Sequence, residues 1–285
     1  MSAPTLPLPD VPPSPVSVDS ERNGNVRELI ASKELLRNLT IRELKVRYKR
    51  SALGFLWTLL NPLMMMAVFT AIFSTVFKSS IDRFWLYFLT GYLPFAFFQA
   101  SAQVATGSIV GNANLVRKVY FPRSVLPLAV VFSQLVHLGL GLGVLLVALS
   151  ATGEFRWIQY LPALLFALVL LAMFSTGLAM LLAAANAFVR DIQEFTTVAF
   201  LLWFYATPII YPLEAGSDNP IPATVLNAVR LNPITQYVQL FRSALYEFRW
   251  PGLPTLGAAT FSSVAMLAIG WTVFHRLSPR FAKEV

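Results

Sequence analysis

YLPALLFALVLLAMFSTGLAMLLAAANAF, running from Tyr160 to Phe188, contains no Asp, Glu, Lys, Arg or His. A helix rises 1.5 Å per residue, so about 20 apolar residues cross the hydrocarbon core of a bilayer, and this stretch is long enough. Moving outward from it, five more stretches read the same way: Gly54 to Phe77, Phe84 to Val104 and Val125 to Ser150 on one side, Phe195 to Tyr211 and Leu256 to Phe274 on the other. The stretch from Phe195 is at the short limit and ends among Pro208 and Pro212. Lipid cannot hydrogen-bond a bare backbone, which restricts spanning segments to helices or closed barrels, and a barrel would show short alternating segments instead. The predicted fold class is an all-α polytopic membrane protein with six transmembrane helices.

Composition agrees, with 56% of the 285 residues hydrophobic and 13% charged, and a mean hydropathy of +0.63, beyond the balance of an ordinary globular domain. The net charge of +8 could suggest nucleic acid, but its distribution gives another reason. With both ends on one side, sixteen Lys and Arg fall on that side, and Lys78, Arg83, Arg156, Arg230, Arg242 and Arg249 make six on the other. The positive-inside rule then places both termini in the cytoplasm and accounts for the basic excess without nucleic acid. Cysteine is absent, which excludes disulfides, iron–sulfur clusters and Cys-ligated zinc. The chain divides into a Pro-rich leader (1–25) with no apolar signal-peptide core, predicted disordered, cytoplasmic interface helices (26–51), a six-span domain (52–276) and a cytoplasmic tail (277–285).

Two cytoplasmic segments are more than connectors. Asn25 with Glu28 and Thr40 with Glu43 have capping-box spacing, which predicts two short successive helices. The second sets Ile41, Leu44 and Tyr48 on one face and Arg42, Lys45 and Lys49 on the other, as in a helix lying in the membrane interface. A topology anchor and a docking surface both fit that pattern. The loop from Asn112 to Arg123 alternates apolar and basic residues and ends at Pro122. Enforcement of topology would explain Arg117, Lys118 and Arg123, yet leaves Leu115, Val116 and Val119 unexplained. On the opposite side, Ile221 to Phe248 is broken at Asn232-Pro233 into two amphipathic pieces too short to span. The second carries Ile234, Tyr237, Leu240, Phe241 and Leu245 at roughly helical spacing.

The run Arg47-Tyr48-Lys49-Arg50-Ser51-Ala52-Leu53-Gly54-Phe55-Leu56-Trp57 continuing to Asn61-Pro62, then Val119-Tyr120-Phe121-Pro122-Arg123, Val189-Arg190-Asp191, and Asn232-Pro233 followed by Arg242, resembles the polysaccharide-export permeases of the ABC transporter superfamily. The match in order and spacing extends from about Leu35 to the C-terminus. The resemblance implies a six-helix subunit that forms a homodimer, binds two copies of a separate cytoplasmic ATPase, and moves a lipid-linked glycan of O-antigen, teichoic acid or galactan type across the bacterial inner membrane. It implies that the helix around Ile41, Leu44, Lys45 and Tyr48 and the loop helix with Asn112, Leu115, Val116, Arg117, Lys118 and Arg123 receive the ATPase. It also implies that Ile234, Tyr237, Leu240 and Phe241 belong to paired gate helices, the alternative being a surface loop packed on the bundle. Arg190 and Asp191 are expected at the cytoplasmic face as an ion pair.

A sugar channel needs aromatic faces for the C–H faces of the rings and hydrogen-bonding groups for their hydroxyls. Candidates are Phe55, Trp57, Trp203, Phe204 and Tyr205, with Gln99 and Gln103 as polar partners, although such residues more often pack or join helices. Gly107 with Gly111 and Gly139 with Gly143 read as close-packing sites. Arg47, Lys49 and Arg50 are candidates for the pyrophosphate of a lipid carrier. No Gly-Lys pair occurs, so the phosphate loop of an ATPase is absent, no cofactor or metal is expected in this chain, and ATP and Mg belong to the partner. Export of a drug or small lipid is the nearest alternative. Ion coupling is disfavoured because His137 and His275 are nearly the only titratable groups in the spans. A membrane glycosyltransferase would have only Asp191 and Glu194 to work with, and H-E-x-x-H is absent.

Overall fold

The computed structural model describes residues 32–48, 56–76, 81–119, 121–213 and 222–284. The leader, the Asn25–Glu28 pair, Lys49, Arg50 and Phe55 lie outside the described residues. Arg47 and Tyr48 are described in their backbone alone. Regular structure among the described residues is helical throughout: α1 (Lys33–Tyr48), α2 (Trp57–Ala71, continued by a π turn at Ile72–Val76), α3 (Phe84–Thr106), α4 (Ala113–Lys118), α5 (Val125–Ala151), α6 (Leu161–Phe188), α7 (Ile192–Tyr205), α8 (Ala223–Leu231), α9 (Pro233–Leu245), α10 (Leu253–Leu277) and α11 (Phe281–Glu284).

Among the described residues three helices, α5, α6 and α10, are long and apolar enough to cross a membrane, with 27, 28 and 25 residues. At 23 residues α3 has the length, while α2 and α7 have 15 and 14. The end of α7 corrects the expected limit at Tyr211, because regular helix stops at Tyr205. Pro208 has no N–H for a helical bond and disfavours helical backbone at Thr207 before it, so the chain leaves α7 unwound. A second correction concerns α1, which runs without interruption through Thr40. Instead of capping a new helix, the Thr40 Oγ1 donates back to the Leu36 carbonyl at 2.8 Å. Leu35, Leu36 and Leu39 in the added turns pack against the start of α5 and its neighbours, and that burial outweighs a local start signal.

Helices in lipid gain little from hiding apolar surface, so close packing and internal hydrogen bonds must hold them. The α6–α10 contact shows this most directly. A Cβ on Gly270 would overlap the Gly177 carbonyl, and one on Gly177 would overlap the backbone at Met266. Near this crossing the Ser263 Oγ donates to the Leu170 carbonyl at 2.8 Å. Of the glycines expected to pack closely, Gly107 does so, against the Gln193 side chain, while Gly111, Gly139 and Gly143 face open space. Glycine spacing marks where backbones can approach, but only the neighbour's position decides whether they do.

Around α3 the core is aromatic. Buried Phe98 meets Phe174 at 5.8 Å, Phe200 at 5.2 Å and Trp203 at 5.1 Å between ring centroids, drawing together α3, α6 and α7. Such pairs contribute about 0.5–1.5 kcal/mol each beyond area. Only one stripe of α3 between Trp85 and Gln103 is half-exposed, made of Trp85, Tyr92, Ala96, Gln99, Ala100 and Gln103.

The two ends of the bundle are built differently. At one end Leu39 of α1, Val116 of α4, Val125 of α5, Ala187 of α6, Phe274 of α10 and Phe281 of α11 form a single apolar cluster. At the opposite end Glu154 accepts hydrogen bonds from Arg156 at 2.7 Å and Arg83 at 3.2 Å. The Arg156 bond first, and the Arg83 bond second, hold this carboxyl below its ordinary range. The clasp is therefore complete above the ordinary carboxylate pKa and is lost only as pH falls through the lowered value.

Replacing Gly270 by Leu is expected to destabilise the fold by about 3 kcal/mol, the upper end for overpacking, whereas Gly139→Leu stays within about 0.5 kcal/mol. Thermal unfolding of the two variants in detergent checks the contrast.

Candidate functional site

At the α1 end, α4 turns one apolar face into the bundle. Val116 is 3% exposed and packs inward, Leu115 is half-buried, and Phe281 of α11 belongs to the same cluster. This accounts for two of the three apolar residues that topology alone left unexplained. The exposed surface of the segment consists of Asn114, Arg117, Lys118 and Val119. On α1, Lys45 is exposed while Ile41 and Leu44 are half-buried. The Arg42 Nη2 donates to the Asn112 Oδ1 at 2.8 Å, and the Asn112 Nδ2 donates to the Ser108 carbonyl at 2.8 Å. Through these bonds α1 is tied to the turn that leads into α4. Arg123 hydrogen-bonds the Ser278 carbonyl and ties the far end of the loop to the chain after α10. Arg190 and Asp191 stand exposed in the turn before α7, and neither joins an ion pair among the described residues.

Two of the expected channel aromatics, Trp203 and Phe204, are used in packing. Trp203 stacks on Phe200 at 5.7 Å and its Nε1 donates to the Asn232 Oδ1 at 2.9 Å. Phe204 sits edge-on to Phe95 at 5.4 Å. Tyr205 and Trp57 keep open faces, at 59% and 46% exposure. Gln99 and Gln103 lie within 3.5 Å of each other, and the Gln193 Nε2 reaches the Gln103 carbonyl at 3.4 Å. These amides form a polar patch on the half-exposed stripe of α3, next to α7. The outer face of α7 presents Phe195, Val198, Leu201, Leu202 and Tyr205, all more than half exposed.

The break at Asn232-Pro233 falls where the sequence places it, and its surroundings explain the break. Pro233 opens α9 with a preset φ, and the Asn232 Oδ1 caps the new helix by accepting from the Ile234 N–H at 3.0 Å. The same side chain donates to the Ala206 carbonyl and to the Thr207 Oγ1, both at 3.1 Å. The tip of the α8–α9 hairpin is thus plugged into the unwound end of α7. Ile234, Tyr237, Leu240 and Phe241 are each 1% exposed or less and are buried among α3, α6 and α10. The Tyr237 ring lies 5.4 Å from Phe174, roughly 20 Å along α6 from its Leu161 end by helical rise. At the other end of α9, the Tyr246 hydroxyl donates to the Asp82 carbonyl at 2.8 Å, before α3 begins. Tyr87, whose hydroxyl donates to the Tyr211 carbonyl, and Ile209, whose carbonyl accepts from Arg242, complete this arrangement and carry no local signal in the sequence.

Comparison with known proteins places this architecture. The family model described as ABC-2 type transporter matches residues 34–246. The chain is 35% identical over 261 residues to the O-antigen export system permease protein RfbA of Myxococcus xanthus, covering 91% of this chain and 98% of that protein. It is 29% identical over 257 residues to the protein of the same name from Klebsiella pneumoniae, covering 88% and 94%. To the polysialic acid transport protein KpsM of Escherichia coli it is 22% identical over 214 residues, covering 73% and 79%.

Asn232→Ala leaves the Trp203 indole and the Ala206 carbonyl without partners and is expected to destabilise by about 1–3 kcal/mol. Chemical denaturation of the native chain and the variant, followed by their total tryptophan fluorescence, measures it. With the family model covering residues 34–246, the chain belongs to the ABC-2 type transporter family.

Proposed function

We propose that this chain is the permease subunit of an ATP-driven exporter that moves a lipid-linked polysaccharide, of O-antigen, teichoic acid or galactan type, across the bacterial inner membrane. The observation that carries this reading is the end-to-end match, over 98% of its length, to a protein named as an O-antigen export permease. Six passes are assigned to α2, α3, α5, α6, α7 and α10. Because α1, α4 and α11 share one cluster, the N-terminal helix, the first loop and the C-terminal segment occupy the same end of the bundle. The basic excess makes that end cytoplasmic.

The working unit is a homodimer with two copies of a cytoplasmic ATP-binding subunit, which holds the ATP and Mg. Exposed Arg117, Lys118 and Val119 of the α4 segment, together with Lys45 of α1, offer the ATPase its contact surface. Force applied there reaches the bundle through Val116, the Arg42–Asn112 bond and the Arg123–Ser278 bond. Ile41, Leu44 and Leu115 support that surface from beneath. The half-exposed stripe of α3, with Tyr92, Gln99 and Gln103, and the open face of Tyr205 supply the mixed aromatic and amide lining that a glycan requires. The α8–α9 hairpin serves as the gate on the far side. Arg47, Lys49 and Arg50 are the candidates for binding the carrier pyrophosphate, because a basic cluster beside the membrane attracts phosphate.

Co-expression with the ATPase encoded beside it, purification of the pair, and ATPase measurement with and without a lipid-pyrophosphate glycan extract test this reading. A stable complex stimulated by the glycan is expected, and a chain that captures no ATPase would overturn the proposal. In the same preparation, Arg117→Glu with Lys118→Glu is expected to retain membrane insertion but reduce glycan-stimulated hydrolysis by at least tenfold, equivalent to about 1.4 kcal/mol of coupling.

A further inference from the structure

Between Ala206 and Tyr211 the backbone runs unwound beside α3 and α9, with Thr207, Pro208 and Ile209 buried. Unwound backbone inside a membrane bundle is tolerated only when its carbonyls find partners there. Three side chains from three different elements supply them. Asn232, in the hairpin turn, donates to the Ala206 carbonyl at 3.1 Å. Arg242, on α9, donates through Nη2 to the Ile209 carbonyl at 2.9 Å. Tyr87, on α3, donates through its hydroxyl to the Tyr211 carbonyl at 2.7 Å.

Of the three, Arg242 is chemically the least ordinary. It is 4% exposed, its Nε has no hydrogen-bond partner, and no carboxylate lies within ion-pair distance of it among the described residues. Its guanidinium carbon lies 3.6 Å from the centroid of the Tyr87 ring. Glycine at residue 91 leaves the guanidinium its room: a Cβ there would stand 3.0 Å from the Arg242 Nη2, 3.4 Å from Val238 and 3.5 Å from the Ile209 Cα. A buried cation without an anion is costly, and replacing it by Met would remove that cost. What the guanidinium does that Met could not is hold a carbonyl and an aromatic face at once, so that α3, α9 and the unwound segment become one unit.

We infer that Arg242 is a positioning residue of the export pathway, a latch that keeps the Ala206–Tyr211 segment closed against Gly91 of α3 and Val238 of α9. The inference rests on the exporter reading for its consequence, but the latch itself is a property of the chain and is measured without substrate. Movement of the hairpin away from α3 draws the guanidinium off the Tyr87 ring and frees the Ile209 carbonyl, so the segment loosens only when the gate does. The incomplete hydrogen bonding of Arg242 keeps the closed state from being too deep to leave.

The chain contains no cysteine, which makes the test clean. Ile209→Cys, co-expressed with the ATPase partner in membranes, is exposed to a membrane-impermeant maleimide, and labelling is normalised to correctly inserted chain. The Ile209 side chain is 0% exposed, so slow labelling is expected of the otherwise native chain. Adding Arg242→Lys, which keeps the charge but loses the planar fork, is expected to raise the rate about tenfold. Adding Gly91→Ala, which leaves Arg242 in the chain but displaces its guanidinium, is expected to raise it severalfold. A general packing defect would lower the amount of inserted chain without this selective exposure. Labelling at the background rate in whichever of the two variants inserts would overturn the latch. Failure of glycan to stimulate the ATPase with raised labelling would count against the exporter reading alone.

Discussion

Backbone carbonyls that leave a helix inside lipid must be met by something, and the unwound segment after α7 concentrates that demand in six residues. Pro208 favours the unwinding, since it cannot donate to the helix and disfavours helical backbone at the residue before it, whereas Pro94 is carried within α3. Once α7 ends early, the carbonyls of Ala206, Ile209 and Tyr211 require donors. The Asn232 turn, the Arg242 guanidinium and the Tyr87 hydroxyl are where those donors come from. The hairpin of α8 and α9 is consequently a structural requirement of the broken helix as much as an element in its own right. Its buried stripe fills the space beside α3, α6 and α10 that a longer α7 would otherwise shape.

The same economy governs the rest of the bundle. With no hydrophobic gain from helix contact in lipid, affinity between helices comes from close backbone approach, as at Gly177 and Gly270, and from ring-on-ring packing, as around Phe98. Polar side chains largely return to backbone carbonyls: Ser263 bridges α10 to α6, and Asn186 reaches from α6 to the Thr106 carbonyl of α3 at 3.0 Å. Little of this polar material is free to meet a substrate. The half-exposed stripe of α3 and the open face of α7 stand out against that background because they are not consumed by internal packing.

At the α1 end a different arrangement serves a different purpose. Here the apolar cluster joins α1, the loop after α3 and α11, while Arg117 and Lys118 of the loop remain on the surface. A rigid support with a polar contact face is what transmission of an external push requires. Such a push would reach α3 through the Asn112–Ser108 bond and α5 through α1, so both helices flanking the loop would respond together.

Hydropathy by itself determined that the protein is a bundle of membrane helices, and proline and asparagine at 232–233 determined where the hairpin breaks, because both are local consequences of chain chemistry. The amphipathic stripe of α9 was legible as a face, and the basic loop as a surface. Only the tertiary structure decided what those faces meet. Thr40 carries a capping pattern yet lies mid-helix, since packing of Leu35, Leu36 and Leu39 extends the helix past it. Gly139 and Gly143 have the spacing of a close contact and face open space, while Gly177 and Gly270, far apart in sequence, are pressed together. Trp203 and Phe204 look like channel aromatics and are packed against Phe98 and Phe95. Arg242 could be read as a charge, but not as a latch, because its partners come from α3 and from the unwound segment. Periodicity and propensity act over a few residues of one chain segment, whereas the identity of a neighbour depends on how separate helices pack in three dimensions.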